Sequence, residues 1–240
     1  MTLDLPLSRS CARCQHEGAA PWNGAPAHWI ETLARLRRRR GLEEGEALFR
    51  QGDANAGLHC INEGIFGLSM LHENGTEVMI ALAYPGDTLG ARAFLRGAPH
   101  QITAVALTGA AVCTVQRRDA LKLTQDAPSV HLALVKRCLA DMDRAQNSLL
   151  EQACLSNRAR LCRLLADLLD RHGERAGETH VAQLPVSRGT MAGMLGIQPE
   201  SLSRIFSRLK KEGLIGLSGR HVSTRSLAAL RAEATRGTVA

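Results

Sequence analysis

The spacing of apolar residues divides the chain into a part rich in turns and a part rich in helices. Between Leu42 and Lys122, short apolar stretches alternate with glycine-marked turns, of which Asn74-Gly75 has the strongest hairpin signature. Turns at intervals of about 8 to 12 residues are typical of antiparallel sandwiches and rolls. The pattern therefore predicts an antiparallel β-roll in the first half of the chain.

A short helix is expected before this roll. Trp29, Leu33 and Leu36 recur at helical spacing, and the basic run Arg37 to Arg40 follows them. We interpret that run as the solvated end of the helix rather than as a DNA contact. Residues 1–26 are rich in Gly, Ala and Pro without periodicity, which predicts a loop or arm that contains two cysteines.

After Pro128 the turn signals disappear and a long helix is predicted. Its apolar residues recur at steps of three to four, which is typical of two helices paired as in a coiled coil. The predicted dimerisation seam consists of Val135, Leu139, Met142, Ala145 and Leu149. The alternative is a helix packed on its own domain. A second helix, Asn157 to His172, should end at Gly173 and lead into a polar connection, Glu174 to Gln183.

The next segment has the spacing of a helix-turn-helix. Ser187 can cap a short helix that runs to Leu195, Gly196 permits a tight turn, and Pro199 suits the first position of the next helix. Beyond it, residues 213–217 and 220–223 predict two short strands around a glycine turn, which form a wing.

The second helix of this motif has one apolar and one polar face. The apolar stripe consists of Leu202, Ile205, Phe206 and Leu209. The opposite face carries Glu200, Ser203, Arg204, Ser207 and Lys211. Arg can bind guanine bidentately, Glu can accept a hydrogen bond from cytosine, and Ser or Lys can bind phosphates. The alternative is a face that is charged only because it is solvated. Ser187, Arg188 and Arg220 complete the predicted DNA contacts.

Composition agrees with a globular protein that binds a polyanion. The 240 residues suit two domains, and 30 Lys and Arg against 23 Asp and Glu give a net charge of +7. We find neither a membrane-spanning run nor a secretory signal, so a cytoplasmic protein with no membrane partner is expected. The odd number of scattered cysteines, seven, does not suggest a disulfide framework.

An enzyme is the main alternative, but the common phosphate-binding, zinc-protease and hydrolase motifs are absent from the sequence. A cupin-like metal-binding roll without DNA binding would need clustered histidines. His59, His72 and His100 occur singly, and we interpret them as surface residues. We therefore expect no catalytic residues.

The segment LPVSRGTMAGMLGIQPESLSRIFSRLKKEGLI resembles the helix-turn-helix of the Crp/Fnr family of bacterial transcription regulators. Upstream, GEALFRQGD, INEGIFGLS and YPGDTLG resemble the turns of that family's β-roll. The pattern of Glu200, Ser203 and Arg204 is similar to the Fnr branch. This resemblance implies a homodimer on double-stranded DNA with TTGAT-like half-sites, Arg204 on the guanine, and RNA polymerase as a partner.

Cyclic-nucleotide-binding members use a Glu and an Arg to hold the ribose and the cyclic phosphate. The matching stretches here resemble Gly90-Ala91-Arg92 and Ile102-Thr103-Ala104, which lack both residues. An isoleucine cannot replace the charged fork that a buried phosphate needs. Cyclic AMP is therefore not expected as the effector.

Oxygen-sensing Fnr proteins hold an iron–sulfur cluster with three N-terminal cysteines and one from the roll. Cys11 and Cys14 resemble the first two, and Cys113 resembles the roll cysteine, but residues 17–23 contain no third. A nearby ligand such as His16 could complete the set. Alternatively, Cys11 and Cys14 act as a redox dithiol, or the segment is a relic.

These patterns together predict an α+β protein with an N-terminal antiparallel β-roll like a cyclic-nucleotide-binding domain, a long dimerisation helix and a C-terminal winged helix-turn-helix. The predicted division is a cysteine-bearing segment (1–26), a sensory roll (27–126), a dimerisation helix (127–156) and a DNA-binding domain (157–240). The predicted function is a redox-, oxygen- or small-signal-responsive transcription regulator.

Overall fold

A computed structural model of the chain describes Trp22 and residues 25–236. Cys11, Cys14 and His16 lie outside the described residues. The chain forms two compact units, one ending at Met142 and one beginning at Asp143. No helix of the described part has both the length and the apolar character that a membrane span requires.

The first unit is a β-roll with flanking helices. Its elements are α1 (Ala27–Leu36), β1 (Arg38–Leu42), β2 (Ala47–Phe49), β3 (Gly57–Glu63), β4 (Phe66–Leu71), β5 (Glu77–Ala83), β6 (Thr88–Leu89), α2 (Ala91–Arg96), β7 (Thr103–Ala106), β8 (Ala110–Gln116), α3 (Arg117–Asp126) and the start of α4 (Pro128–Cys154). Two four-stranded antiparallel sheets, ordered β1-β8-β3-β6 and β2-β7-β4-β5, confirm the predicted roll.

The roll has an inner and an outer apolar cluster, because successive residues of a strand point to opposite faces of a sheet. On β8, Val112 belongs to the inner cluster, together with Phe66 and Phe49. Val115 belongs to the outer cluster, which packs α1, α2, α3 and the start of α4 against the sheet. The turn at Asn74-Gly75 joins β4 to β5 as predicted, with Gly75 at a φ of 84° that favours glycine.

The basic run Arg37 to Arg40 is not the end of a helix, and this prediction was wrong. Helix α1 ends at Leu36, and Arg38 and the residues after it form the edge strand β1, with Arg38 opposite Thr114 of β8. The backbone thus gains ladder hydrogen bonds that a fraying helix end would lack. Exposed arginines suit an edge strand, because charge discourages pairing with a further strand.

Two of the three histidines that we expected on the surface are buried. His59 of β3 is 6% exposed and His100 is 4% exposed, whereas His72 lies exposed in the β4–β5 loop. The Nδ1 atom of His59 lies 2.9 Å from the hydroxyl of Thr114, so the ring has a polar partner inside the roll. A buried polar group is tolerated when it is hydrogen-bonded in this way.

Helix α4 confirms the long helix predicted after Pro128. Val130 and Leu134 are buried against the roll, and Arg137 donates from Nη2 to Oδ1 of Asp87 over 2.6 Å. Asp87 also accepts from the backbone N–H of Tyr84 and so fixes the turn before β6. This ion pair attaches α4 to the first unit.

The second unit is a winged helical domain. Its elements are the end of α4, α5 (Asn157–His172), β9 (Glu174–Ala176), β10 (Thr179–Gln183), α6 (Arg188–Met194), α7 (Pro199–Lys211), β11 (Gly216–Ser218), β12 (His221–Thr224) and α8 (Leu227–Arg236). One antiparallel sheet, ordered β11-β12-β10-β9, crosses it. Helix α5 has the predicted bounds, and Gly173 is its C-cap.

We expected a polar connection at residues 174–183, but these residues form the hairpin β9–β10. Gly177 has a φ of 63° in the turn, and β10 pairs with β12, with Ala182 opposite Val222. The polar composition misled the sequence prediction because β9 is the edge strand of the sheet and its side chains are all exposed. Only Ala182 of β10 is buried.

Arg158 connects three helices of the second unit. Its Nε lies 2.6 Å from Glu233 of α8, and its Nη1 lies 3.0 Å from Glu212 at the end of α7. Hydrogen bonding to Glu212 and then to Glu233 raises the pKa of the Arg158 guanidinium. Helix α8, which the sequence analysis did not predict, is thereby joined to α5 and to the end of α7.

Candidate DNA-binding surface

Local hydrogen bonds set the geometry of α6 and α7. The Ser187 hydroxyl accepts from the Thr190 backbone N–H over 3.0 Å, which confirms the predicted N-cap of α6. Gly196 has a φ of 61° in the turn between the helices. Pro199 occupies the first turn of α7, where its missing N–H costs nothing. These features confirm the helix-turn-helix.

Helix α7 has one buried and one exposed face. Leu202, Phe206 and Leu209 are fully buried, while Ile205, predicted with them, is only half-buried. All eight residues predicted to contact DNA are exposed, namely Ser187, Arg188, Glu200, Ser203, Arg204, Ser207, Lys211 and Arg220. The charged row on α7 is therefore accessible to a ligand.

The residues of this row differ in their existing partners. The Ser207 hydroxyl donates to the backbone carbonyl of Ser203 over 2.9 Å, so it is already engaged with its own helix. For Glu200 and Arg204, we find no hydrogen bond or ion pair to another part of the described chain. Their side chains keep their full capacity to accept and to donate.

Two predicted contacts outside α7 are held by contacts within the protein. The guanidinium of Arg188 lies over the Phe206 ring, and Nη2 of Arg220 donates to the Leu184 carbonyl over 3.1 Å. Both arginines line one shallow cavity together with Ser187 and Gly219. The start of α6 and the wing therefore meet at one cationic surface.

Two further exposed arginines near the predicted contacts, Arg208 and Arg225, were not among the predicted residues. Arg208 is exposed and follows Arg204 by four residues, so it lies on the same face of α7. This helical spacing was a signal that the sequence already contained. Arg225 is exposed directly after β12, and only the observed end of that strand shows it to be near the wing.

The roll positions compared with the ligand-binding residues of cyclic-nucleotide sites lie beside a close backbone approach and are apolar. Gly90, at a φ of 87°, approaches the backbone so closely that an added Cβ would lie 2.7 Å from the Gly57 carbonyl oxygen. Ala91 is buried, and Ile102 packs against the inner apolar cluster. The positions compared with the Glu and Arg of cyclic-nucleotide sites therefore contribute to packing.

Several polar side chains of the roll lie in its interior beside Gly90. Asn55 donates to the carbonyls of Gly57 and Gly90 over 3.0 and 3.2 Å, and it accepts from Arg117 over 3.0 Å. The His100 ring stacks on Phe49, with 3.7 Å between ring centres. Burial is the main cause that lowers the pKa of His59 to about 4.

Cys113, the roll cysteine compared with a cluster ligand, lies in β8. It is 6% exposed and directly opposite Cys60 of β3, and both are thiols. No group of three or more potential metal ligands occurs among the described residues. Two adjacent thiols do suit a soft metal, because thiolates are the preferred ligands of zinc and iron–sulfur clusters.

Comparison with known proteins agrees with this architecture. Residues 39–127 match the cyclic nucleotide-binding domain family, and residues 159–233 match the Crp-like helix-turn-helix domain family. The transcriptional activator protein FnrL of Cereibacter sphaeroides is 28% identical over 238 residues, which cover 96% of this chain and 90% of FnrL. The chain belongs to the Crp/Fnr family of transcription regulators.

Further known proteins resemble the chain in sequence or in fold. The fumarate and nitrate reduction regulatory protein of Salmonella typhimurium is 24% identical over 82% of this chain and 78% of its own length. The structure of FixK2 from Bradyrhizobium japonicum aligns with a TM-score of 0.72 at 23% identity, over 85% of this chain and 98% of that one. FnrL and the Salmonella protein are regulators by name and not enzymes, so the enzyme alternative is set aside.

Proposed function

We propose that this Crp/Fnr regulator reads a palindromic site of two TTGAT-like half-sites as a homodimer, with α7 in the major groove. The observation that carries this proposal is the exposed row of Glu200, Ser203 and Arg204 opposite the fully buried face of α7. Arg204 lies near the start of the helix, the part that approaches base edges in this class of domain.

Each residue of the row has a distinct proposed role. Arg204 binds guanine O6 and N7 with its fork, and Glu200 accepts from a neighbouring cytosine. Ser203 contacts an adjacent base, while Ser187, Ser207 and Lys211 contact phosphates. Arg188 and Arg220 add positive charge at the start of α6 and in the wing.

Dimerisation is proposed through α4. Leu139 and Met142 are each 50% exposed and Leu149 is 67% exposed, which leaves an apolar face for a second copy. Ala145 is exposed and Val135 is half-buried. A two-fold dimer would present two α7 helices to a palindrome. In this proposal residues 127–156 serve as the dimerisation helix between a sensory segment (27–126) and a DNA-binding segment (157–240).

The proposed signal is redox state or oxygen. Several relatives carry the name anaerobic regulatory protein, among them that of Haemophilus influenzae. Cys11, Cys14 and Cys113 are the proposed sensory thiols, which would hold an iron–sulfur cluster or change their oxidation state. We further propose that the protein acts in the cytoplasm, together with RNA polymerase.

This proposal is tested by DNA-binding titrations of Arg204→Ala and Arg204→Lys. Each variant is titrated against a TTGAT palindrome and against a copy in which the guanines are replaced. Arg204→Ala should lose about 1 to 3 kcal/mol per half-site and its guanine preference. The matched variant Arg204→Lys keeps the positive charge but not the planar guanidinium. It should therefore retain more of the DNA affinity than of the preference for guanine. Unchanged affinity and preference in Arg204→Ala would exclude this role for α7.

A further inference from the structure

We propose that Cys60 and Cys113 form an oxidation site within the roll, in which a hydroperoxide converts the two thiols into a reversible disulfide. Both residues are thiols in the structure and belong to the neighbouring strands β3 and β8. The oxidant is identified by its chemistry as a small hydroperoxide, of which hydrogen peroxide is the simplest. This inference rests on the proposed redox function, because it names the partner of one proposed sensory thiol.

The register of β3 and β8 places the two thiols side by side. Cys60 is directly opposite Cys113 in the antiparallel ladder, although the two positions are far apart along the chain. The Cα atoms of directly opposite residues are about 4.5 to 5.5 Å apart, and their side chains project from the same face of the sheet. A disulfide joins Cα atoms that are about 4.4 to 6.8 Å apart. The bond can therefore form without a rearrangement of the strands.

A row of residues across the sheet gives each thiol a polar neighbour. Thr88 of β6 is opposite Cys60, and its hydroxyl lies 3.2 Å from the Cys60 sulfur. Arg39 of β1 is opposite Cys113, so its side chain starts from the same face of the sheet, and its Nη2 lies 2.8 Å from Glu63. An arginine beside a thiol favours the deprotonated form, which is the nucleophile. Cys113 is therefore the thiol that reacts first with the oxidant.

Burial restricts which oxidant can reach the pair. Cys60 and Cys113 are both buried. Cys60 belongs to the outer apolar cluster, which packs the helices α1 to α4 against this face of the sheet. A small neutral molecule such as hydrogen peroxide enters such a layer more readily than a bulky disulfide such as oxidised glutathione. Oxidation by peroxide is therefore favoured over exchange with a soluble disulfide.

The reaction consumes one peroxide and removes two electrons from the thiols. The Cys113 thiolate attacks one oxygen of hydrogen peroxide, the O–O bond breaks, and the departing hydroxide takes up the proton that the thiol released. The products are Cys113 sulfenic acid and water. The Cys60 sulfur then attacks the Cys113 sulfur, the S–O bond breaks, and the departing hydroxide takes the Cys60 proton to form a second water. Exchange with an added dithiol restores both thiols.

Disulfide formation changes the packing of the outer apolar cluster. An S–S bond of about 2.05 Å draws the Cys60 sulfur towards Cys113 and away from the Thr88 hydroxyl. Val130 and Leu134, at the start of α4, belong to the same cluster as Cys60. Oxidation should therefore alter the packing of the helix through which we propose dimerisation.

Mass spectrometry of the full-length protein tests the assignment, because trypsin cleaves after Lys and Arg and so places each of the seven cysteines in a different peptide. Residues 51–92 carry Cys60, and residues 97–117 carry Cys113. Protein that has been reduced and freed of reductant is treated with hydrogen peroxide, and the remaining thiols are blocked before digestion. The wild type should give these two peptides as a linked pair, which a dithiol separates.

Serine variants separate the roles of the two thiols. Cys60→Ser should accumulate Cys113 sulfenic acid, which dimedone traps, whereas Cys113→Ser should give neither the linked pair nor a sulfenic acid at Cys60. Cys138→Ser is the matched control, because Cys138 packs against the same cluster but lies on α4. It should form the disulfide to the same extent as the wild type. Circular dichroism of each variant checks the fold.

Arg39→Gln tests the charged neighbour of Cys113. It should slow the formation of the disulfide several-fold. Arg38→Gln is the control and should leave the rate unchanged, because Arg38 is opposite Thr114 and alternation along the strand directs it to the other face of β1. Equal rates in the wild type and Arg39→Gln would overturn the role of Arg39.

A folded wild type that gives no linked pair of these peptides after peroxide treatment, or gives it only in urea, would overturn the proposal. Links from Cys60 or Cys113 only to other cysteines would do the same. DNA binding by reduced and oxidised protein is measured separately. A disulfide without effect on DNA binding would refute its part in the proposed function but not the oxidation site. Redox-dependent DNA binding without this disulfide would refute the oxidation site but not the proposed function.

Discussion

The guanidinium carbon of Arg188 lies 5.0 Å from the centre of the Phe206 ring, so the first residue of α6 packs on the buried face of α7. A cation over an aromatic face is attracted by the negative electrostatic potential that the ring's quadrupole creates there. Phe206 is fully buried among the residues that support the reading face. This contact therefore links the orientation of α7 to a residue that we also place at the DNA surface.

Arg188→Ala should consequently lower both stability and DNA affinity. The cation–π interaction that it removes is worth about 0.5 to 1 kcal/mol in the free energy of unfolding, measured by urea denaturation. Affinity should fall for all DNA sequences alike, since no base contact is removed. Arg225→Ala, which removes an exposed charge after β12, is the control and should leave stability unchanged. Equal stabilities of wild type and Arg188→Ala would contradict the structural role.

The burial of His59 should make the first unit sensitive to acid. The folded pKa of His59 is about 4, below its usual value in an unfolded chain of about 6.5. Between these values the unfolded chain binds a proton that the folded chain does not. Stability should therefore fall as pH decreases from about 6.5 towards 4, by on the order of 3 kcal/mol in full.

Denaturant unfolding of the wild type and His59→Asn at several pH values measures this effect. Asn can keep a hydrogen bond to Thr114 but does not titrate, so the variant should lose much of the acid dependence. The exposed His72→Asn variant should behave as the wild type does. A parallel pH dependence in wild type and His59→Asn would show that His59 is not responsible.

Local signals explain which parts of this fold the sequence could predict. Ser187, Gly196 and Pro199 act within a few residues of themselves, so the helix-turn-helix followed from sequence. Pairing partners distant in the chain explain the errors. Arg38 lies in a strand because it pairs with Thr114, and burial of His59 is tolerated because its ring contacts the Thr114 hydroxyl. The position of Cys60 opposite Cys113 likewise cannot be predicted without the register of the sheet.

The exposed apolar face of α4 should mediate dimerisation with a second copy of the chain. Met142→Glu places a charge in the proposed seam, where each buried apolar side chain contributes about 1.5 to 3 kcal/mol. The variant should sediment as a monomer at concentrations where the wild type is a dimer. Ser148→Glu adds the same charge to α4 outside the seam and should remain dimeric. A dimer of unchanged strength in Met142→Glu would exclude this face.

Cyclic AMP should not bind to the roll. Ala91 and Ile102 occupy the positions compared with the Glu and Arg of cyclic-nucleotide sites, and Ile102 packs against the inner cluster. A buried phosphate without a guanidinium partner would leave an unpaired charge. Isothermal calorimetry with cyclic AMP should give no heat of binding. Micromolar affinity would show that other residues, such as Arg92, replace the missing charge.

Lys211 should distinguish phosphate contact from base reading on the same helix. It is exposed in the last turn of α7, and an ammonium group there can neutralise a phosphate without reading a base. Lys211→Ala should weaken binding to all DNA sequences about equally. The slope of log K against log salt should also become shallower, by about one unit for each phosphate that is no longer neutralised. Titrations at several salt concentrations measure this slope, with Lys122→Ala, which removes the same charge from α3, as the control. A salt slope equal to that of the wild type, or a weakening confined to the TTGAT site, would contradict a phosphate contact, because counterion release depends on charge and not on sequence.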